Sequence, residues 1–192
     1  VNNKGDFTWA VDGDTGLWCF TLEVSDVCLA DTCTLCVRVL SPPGCTFTQG
    51  GWGSKCPDPQ KGNLFSTQPG CIRDHYFTKV FPKGVTIGDP AGLNGGPVYA
   101  AKWTTSAAVE AFLPAGKSPG ILTSDLTNPL TTPAGVLAGQ ILALRLNREY
   151  SCAGVFSTLG IAPPGFCLGS LVIPAGCGKF TGIKVDSFLV IA

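Results

Sequence analysis

Methionine is absent from this 192-residue chain, and histidine occurs once. Charge is sparse too: Asp, Glu, Lys and Arg make up 14%, where a globular domain carries about 25%. The two signs balance at 13 each, so no long-range field draws the chain to nucleic acid or to an anionic membrane. No apolar run approaches the roughly 20 residues that a spanning helix needs, and no membrane insertion is expected. Without a Met the chain does not begin at its own start codon, and a processed form that has lost a leader is expected. A surface this poor in charge is expected to be covered by a neighbouring copy, a partner or attached glycan.

Catalytic patterns are equally scarce. There is no G-x-S-x-G, and the acidic residues are scattered, so no pair of carboxylates stands out for glycoside chemistry. The single His75 lies in Arg73-Asp74-His75-Tyr76, where a base beside a carboxylate is conceivable. A histidine on a helix surface explains it more simply. The chain is expected not to be an enzyme and to need no cofactor. Calcium at Asp12 and Asp14 is the one metal to weigh. Asp12-Gly13-Asp14 opens like a calcium loop, but its later ligands and closing Glu are missing, and a hairpin turn is preferred.

What the chain does have is cysteine. The ten are Cys19, Cys28, Cys33, Cys36, Cys45, Cys56, Cys71, Cys152, Cys167 and Cys177. That density points to an oxidising compartment, with all or nearly all in disulfides. Cys28 with Cys33 and Cys56 with Cys71 are the local pairs that close short loops. Cys33-x-x-Cys36 is the only close C-x-x-C, and it sits in a strand-like run. No second pair or His cluster completes a tetrahedral zinc site, so zinc is not favoured.

Residues 1–41 read as β. Along 17–24, Trp18, Phe20, Leu22 and Val24 alternate with Cys19, Thr21 and Glu23, as in a half-buried strand. Along 33–40, Leu35, Val37 and Val39 alternate with Thr34, Cys36 and Arg38. Phe7, Trp9 and Val11 form an earlier run of the same kind. On Gly5-Asp6-Phe7-Thr8-Trp9, the aromatic run 16–26 and Asp31-Thr32-Cys33-Thr34-Leu35-Cys36-Val37-Arg38-Val39, this segment resembles the C-terminal half of an immunoglobulin-like or cadherin-like module of bacterial surface proteins. Such a sandwich takes about seven strands, and only three alternating runs are present. The resemblance therefore implies a partial immunoglobulin-like segment.

Ser41-Pro42-Pro43-Gly44 is a linker signal. Beyond it, residues 45–192 read as a loop-rich α+β domain stabilised by disulfides, so the fold class is mixed α and β with sandwich-like strands in front. Helices are expected over 73–81, 106–113 and 134–150, with Phe112, Leu137, Ile141 and Leu144 in the core. Strands are expected over 85–87 and 98–103. Gly50-Gly51-Trp52-Gly53 puts an indole on a glycine-rich loop. Trp52 is a candidate glycan contact, although a ring folded back as the loop's anchor is preferred. No N-x-[ST] sequon occurs. Ser and Thr next to Pro at 66–69, 118–119 and 127–133 are candidate O-glycan sites.

This second region resembles an uncharacterised C-terminal region of large secreted surface proteins of Bacteroidetes-like bacteria. The resemblance is carried by Phe47-Thr48-Gln49-Gly50-Gly51-Trp52-Gly53, Phe81-Pro82-Lys83-Gly84-Val85-Thr86-Ile87-Gly88, Leu126-Thr127-Asn128-Pro129 and the runs 106–114, 135–144, 168–173 and 180–185. It implies a surface role and a helix continuing after Val185, and it brings no known activity.

The leading expectation is a structural subunit of an extracellular fibre or surface layer, secreted and polymerising with copies of itself by strand complementation between subunits. Trp9, Phe20, Leu22 and Val24 of the β segment are candidate subunit contacts. The donor strand is expected from residues 1–11 or from the uncharged, β-prone tail 187–192, which holds Phe188, Leu189, Val190 and Ile191. The alternative is an adhesin-type module of a larger secreted protein that binds glycans or a surface through Trp52.

Overall fold

The computed structural model describes residues 16–25, 30–39, 46–88 and 99–191, the first two ranges as backbone alone. The early run 7–11, Trp9, Asp12, Asp14, Cys28 and Cys45 lie outside them. The chain divides into two compact units, Val1–Pro43 and Gly44–Ala192. It mixes α and β.

In the first unit, β1 (Gly16–Ser25) pairs antiparallel with β2 (Ala30–Val39) in a two-stranded ribbon. The register sets Trp18 opposite Val37 and Phe20 opposite Leu35. Because side-chain positions alternate along a strand, the two apolar series read from the sequence fall at positions on one face of the ribbon. Cys19 is opposite Cys36 on the other face.

The second unit is built by short elements with legible stops. α1 (Gln49–Trp52) starts at Thr48, whose hydroxyl accepts from Gly51 N at 3.2 Å, the usual N-cap arrangement. α2 (Pro69–Val80) carries Pro in its first turn and ends just before Pro82, which cannot continue a helix. β3 (Val85–Gly88) and β4 (Ala100–Trp103) run antiparallel, and β5 (Leu126–Thr127) joins β4 in parallel. α3 (Ser106–Phe112) is capped by Thr105 Oγ1, which accepts from Ala108 N at 3.1 Å. α4 (Gly135–Cys152) runs 18 residues and is followed by the left-handed Gly154. α5 (Val155–Thr158) and α6 (Val185–Ile191) complete the six α-helices among the described residues.

α4 packs on β3, α1, α5 and α6, so it is the spine of the unit. The core around it holds Trp52, Ile72, Phe77, Trp103, Leu142, Leu146, Tyr150 and Phe156. Its centre is a stack: Trp52 lies 5.0 Å from Tyr150 at 19° and 6.4 Å from Phe156 at 14°. Gly135 adopts φ +53, and a Cβ there would come within 2.2 Å of the Ser118 carbonyl. Only glycine lets that loop close over the start of α4.

Two expectations about this core need correcting. Phe112 is buried, but Leu137 is 42% exposed, and Leu144 and Ile141 are only partly buried. The buried stripe of α4 runs through Ala138, Leu142, Ala143, Leu146 and Tyr150. The helix is apolar on more than one stripe, and small residues at Gly135, Ala138 and Gly139 draw neighbouring backbone onto a different one. The tail 187–192 was one of two candidate donor strands, beside residues 1–11; instead Ser187, Phe188, Leu189, Val190 and Ile191 lie in α6. Phe188 packs edge-on against Phe180 at 5.1 Å, and Arg148 Nε donates to Asp186 Oδ1 at 2.7 Å, which ties this helix to α4.

Two disulfides hold loops to this frame. Cys56–Cys71, an expected pair, closes with Cα atoms 4.5 Å apart, and Cys152–Cys167 with Cα atoms 4.2 Å apart. Cys177 was expected in a bridge, but it is an exposed free thiol. It sits on a turn between the left-handed Gly176 and Gly178, and the bridged cysteines of its unit are already committed to each other.

Candidate functional site

The densest chemistry in the second unit gathers around Arg73. The Cys56–Cys71 bridge folds the loop 57–68 back against the start of α2. Asp58 and Lys61 of that loop come to line the same cleft as Asp74 of α2 and Glu110 of α3. The cleft has a volume of about 530 Å³, with Lys55, Cys56 and Pro57 completing its wall.

Arg73 is fully buried at the back of this cluster. Its Nη1 donates to the carbonyls of Trp52 and Ser54, at the C-terminal end of α1. Its Nε donates to Asp74 Oδ1 at 2.9 Å, and Nη2 reaches both Asp74 and Glu110. Of the five N–H donors of a guanidinium, four make hydrogen bonds, and Nη2 also lies within ion-pair distance of Asp74. Pairing with charge and hydrogen bonds is what a buried charge requires. A cation at the C-terminal end of α1 is also favoured by the exposed carbonyl dipoles there. Tyr150 adds a further tie, its hydroxyl donating to the Arg73 carbonyl at 3.2 Å. Burial pushes the Tyr150 phenol far above its ordinary range, so it acts as a neutral donor.

At the mouth, Lys61 Nζ and Asp58 Oδ1 pair at 2.5 Å. The hydrogen bond and the lysine charge hold the Asp58 carboxyl below the usual range, and the same contact raises Lys61. The three carboxylates of the cleft pair with Arg73 and Lys61, and Lys55 on its wall brings the count of positive charges to three. The result is a polar, charge-neutral concavity. It offers hydrogen bonds to a polar ligand without a strong field of either sign.

His75 does not partner Asp74. Its Nε2 donates to the Lys61 carbonyl at 2.7 Å, pinning the loop, while Asp74 turns to Arg73. The base beside a carboxylate, conceivable from the sequence but not the preferred reading there, does not form. Trp52 takes the preferred of its two expected roles, the loop's anchor, and not that of a glycan contact. It is 0% exposed and enclosed by Phe47, Tyr150 and Phe156, with no face open to a sugar. The glycine-rich motif has a packing reason: a Cβ on Gly53 would lie 2.2 Å from the Leu113 carbonyl. The indole is the anchor of this close approach.

The candidate subunit contacts are spread out. Phe20, Leu22 and Val24 occupy positions on β1, and Phe188 through Ile191 lie on α6 in the other unit. No group of His, Cys, Asp and Glu that could hold a metal occurs among the described residues. Asp12 and Asp14 fall outside them. No described helix is long and apolar enough to cross a membrane.

Sequence reasoning missed the Arg73–Glu110 pair and the cleft it backs. One signal was legible: pairing Cys56 with Cys71 brings Asp58 and Lys61 toward Asp74. Glu110 is 37 residues from Arg73, and nothing local marks the two as partners. Comparison with family models, with characterised proteins and with solved structures returns no match to this chain.

Proposed function

We propose that this chain is a structural subunit of an extracellular assembly that associates with copies of itself through the β1–β2 ribbon. One observation carries the reading: two ten-residue strands pair only with each other, and no third strand joins their sheet among the described residues. An isolated two-stranded ribbon is marginal in water. Its outer edges leave main-chain donors and acceptors unpaired, which invites an added strand. The apolar series Trp18, Phe20, Leu22 and Val24 shares a face with Leu35 and Val37 by register, so an incoming segment would cover an apolar face as well as an edge. The likeness of this segment to half of a β-sandwich supports the same reading.

Other features agree. Disulfides suit an extracellular setting. Charge is low, and Leu64, Phe65, Ile121 and Leu130 stand well exposed in the second unit. With the C-terminal tail engaged in α6, the donor is the stretch 1–11 of a neighbouring copy. A donor that adds head to tail without closing builds a filament.

The test is sedimentation of the intact chain beside a version lacking residues 1–11, over a range of concentration. The intact chain is expected to form growing species, and the shortened chain to stay a folded monomer. A stable monomer at high concentration from the intact chain, or unchanged assembly after deletion, would overturn the proposal.

A glycan-binding module is the second reading, and the neutral cleft favours it. The loop that supplies Asp58 and Lys61 also holds Phe65 at 73% exposure, an aromatic surface on which a sugar ring could stack. Saturable binding of oligosaccharides that is lost in Phe65→Ala would support it. Indifference to every sugar tested would remove it.

A further inference from the structure

We infer that Cys19 and Cys36 form a disulfide across the β1–β2 ribbon, and that Cys33-x-x-Cys36 acts as neither a redox pair nor a metal motif. The register places Cys19 directly opposite Cys36. Opposed Cα atoms of an antiparallel pair are about 4.5–5.5 Å apart, inside the window of about 4.4–6.8 Å that a disulfide spans.

The C-x-x-C alternative fails on the same geometry. Cys33 and Cys36 lie within the single extended strand β2. Three residues of strand extend about 10 Å, beyond the roughly 7 Å limit for bridging. An offset of three also puts the two positions on opposite faces of the ribbon. Cys33 is opposite Leu22, on the face that holds Trp18 and Phe20, whereas Cys36 is on the face of Cys19. Two thiolates so placed cannot converge on one metal ion or close on each other while β2 stays extended.

Forming the bond joins the two sulfur atoms. Two electrons and two protons pass to a disulfide-bearing oxidant of the oxidising compartment, which leaves as a dithiol. The covalent tie fixes the strand register. A slip of one residue would turn the whole apolar series of β1 to the other face, and the bond prevents it.

The native protein is unfolded without reductant in excess alkylating reagent and resolved on a non-reducing gel. The monomer band is then digested with pepsin, which is active at the acidic pH that suppresses exchange. Cleavage after Leu35 separates Cys33 from Cys36, so mass spectrometry can tell the pairings apart. The expected result is one linked species joining the Cys19 and Cys36 peptides, which vanishes on reduction. A link from Cys33 to Cys36, a link from Cys19 to any other cysteine, or alkylated Cys19 and Cys36 would overturn the inference. So would a Cys19–Cys36 link found only in bands above the monomer.

Discussion

The ribbon has the longer strands, and the second unit has the better-supported ones. β1 and β2 are ten residues each and, among the described residues, pair only with each other. β3, β4 and β5 are two to four residues long, yet α4 covers their sheet and aromatic side chains enclose it. The contrast teaches that strand length does not make a domain. Hydrogen bonds along a strand exchange water for protein at a small net gain, whereas burial of apolar surface supplies most of the stability. The second unit contains its own means of burial. Under the proposed function, the ribbon obtains its cover from another subunit.

That comparison can be broken most sharply at the two tryptophans. Trp52→Ala removes the centre of the aromatic stack and should cost about 3–5 kcal/mol of stability, read from the denaturant midpoint of the second unit. Trp18→Ala should leave that midpoint where it is and instead weaken sedimentation of the assembled form. If Trp18→Ala destabilised the second unit as much as Trp52→Ala, the ribbon would be part of its core and the contrast would fail.

Arg73→Met tests whether the charge cluster is structural. The change strands two backbone carbonyls and leaves Asp74 and Glu110 without their cation. A loss of about 3 kcal/mol is expected in chemical denaturation. The double variant Arg73→Met with Glu110→Gln should recover part of that loss. A stability unchanged by Arg73→Met would mean that the cleft is not held by this network.

The smallest expected effect is at the tail. The hydrogen bond from Arg148 holds the Asp186 carboxyl below its ordinary value of 3.8. The folded state then binds the proton more weakly than the unfolded state. Its stabilisation is complete above the unfolded pKa and is lost as pH falls through the lower, folded one. The Asp186 side chain is 44% exposed, so solvent screening limits the effect to roughly 0–1 kcal/mol. Asp186→Asn should be slightly less stable than the parent near neutral pH, and the two should converge in strong acid. A gap that persisted or widened there would show that the loss does not come from the charge of the ion pair.

How much of this was legible depends on the range of the physics involved. Alternation along 17–24 and 33–40 is a local pattern, and the strands appear there, β1 one residue longer at each end and β2 starting three residues earlier and reaching Val39. Proline and glycine punctuate the chain, so the helices over 106–113 and 134–150 appear nearly where expected. For α2, the first turn was missed because Pro69 reads as a breaker, although it is well suited to opening a helix. The short closure of Cys56 on Cys71 was also readable, since two cysteines flanking a loop of Gly and Pro have few other partners nearby.

Other features depend on which surfaces meet. Leu137 and Leu142 have the same chemistry and occupy one helix, but only the side that faces β3 and α1 is dry. Trp52 lies on a glycine-rich stretch that suits an exposed loop equally well, and it is the ring stack with Tyr150 and Phe156 that draws it inside. The tail 187–191 has strand propensity, yet the contacts of Phe188 with Phe180 and of Asp186 with Arg148 settle it as a helix. Composition and periodicity act over one or two turns of chain, and they determined the cysteine-rich, low-charge character and the order of elements. Which apolar stripe is buried and which charges pair are decided by contacts between residues tens of positions apart, and only the tertiary structure holds those.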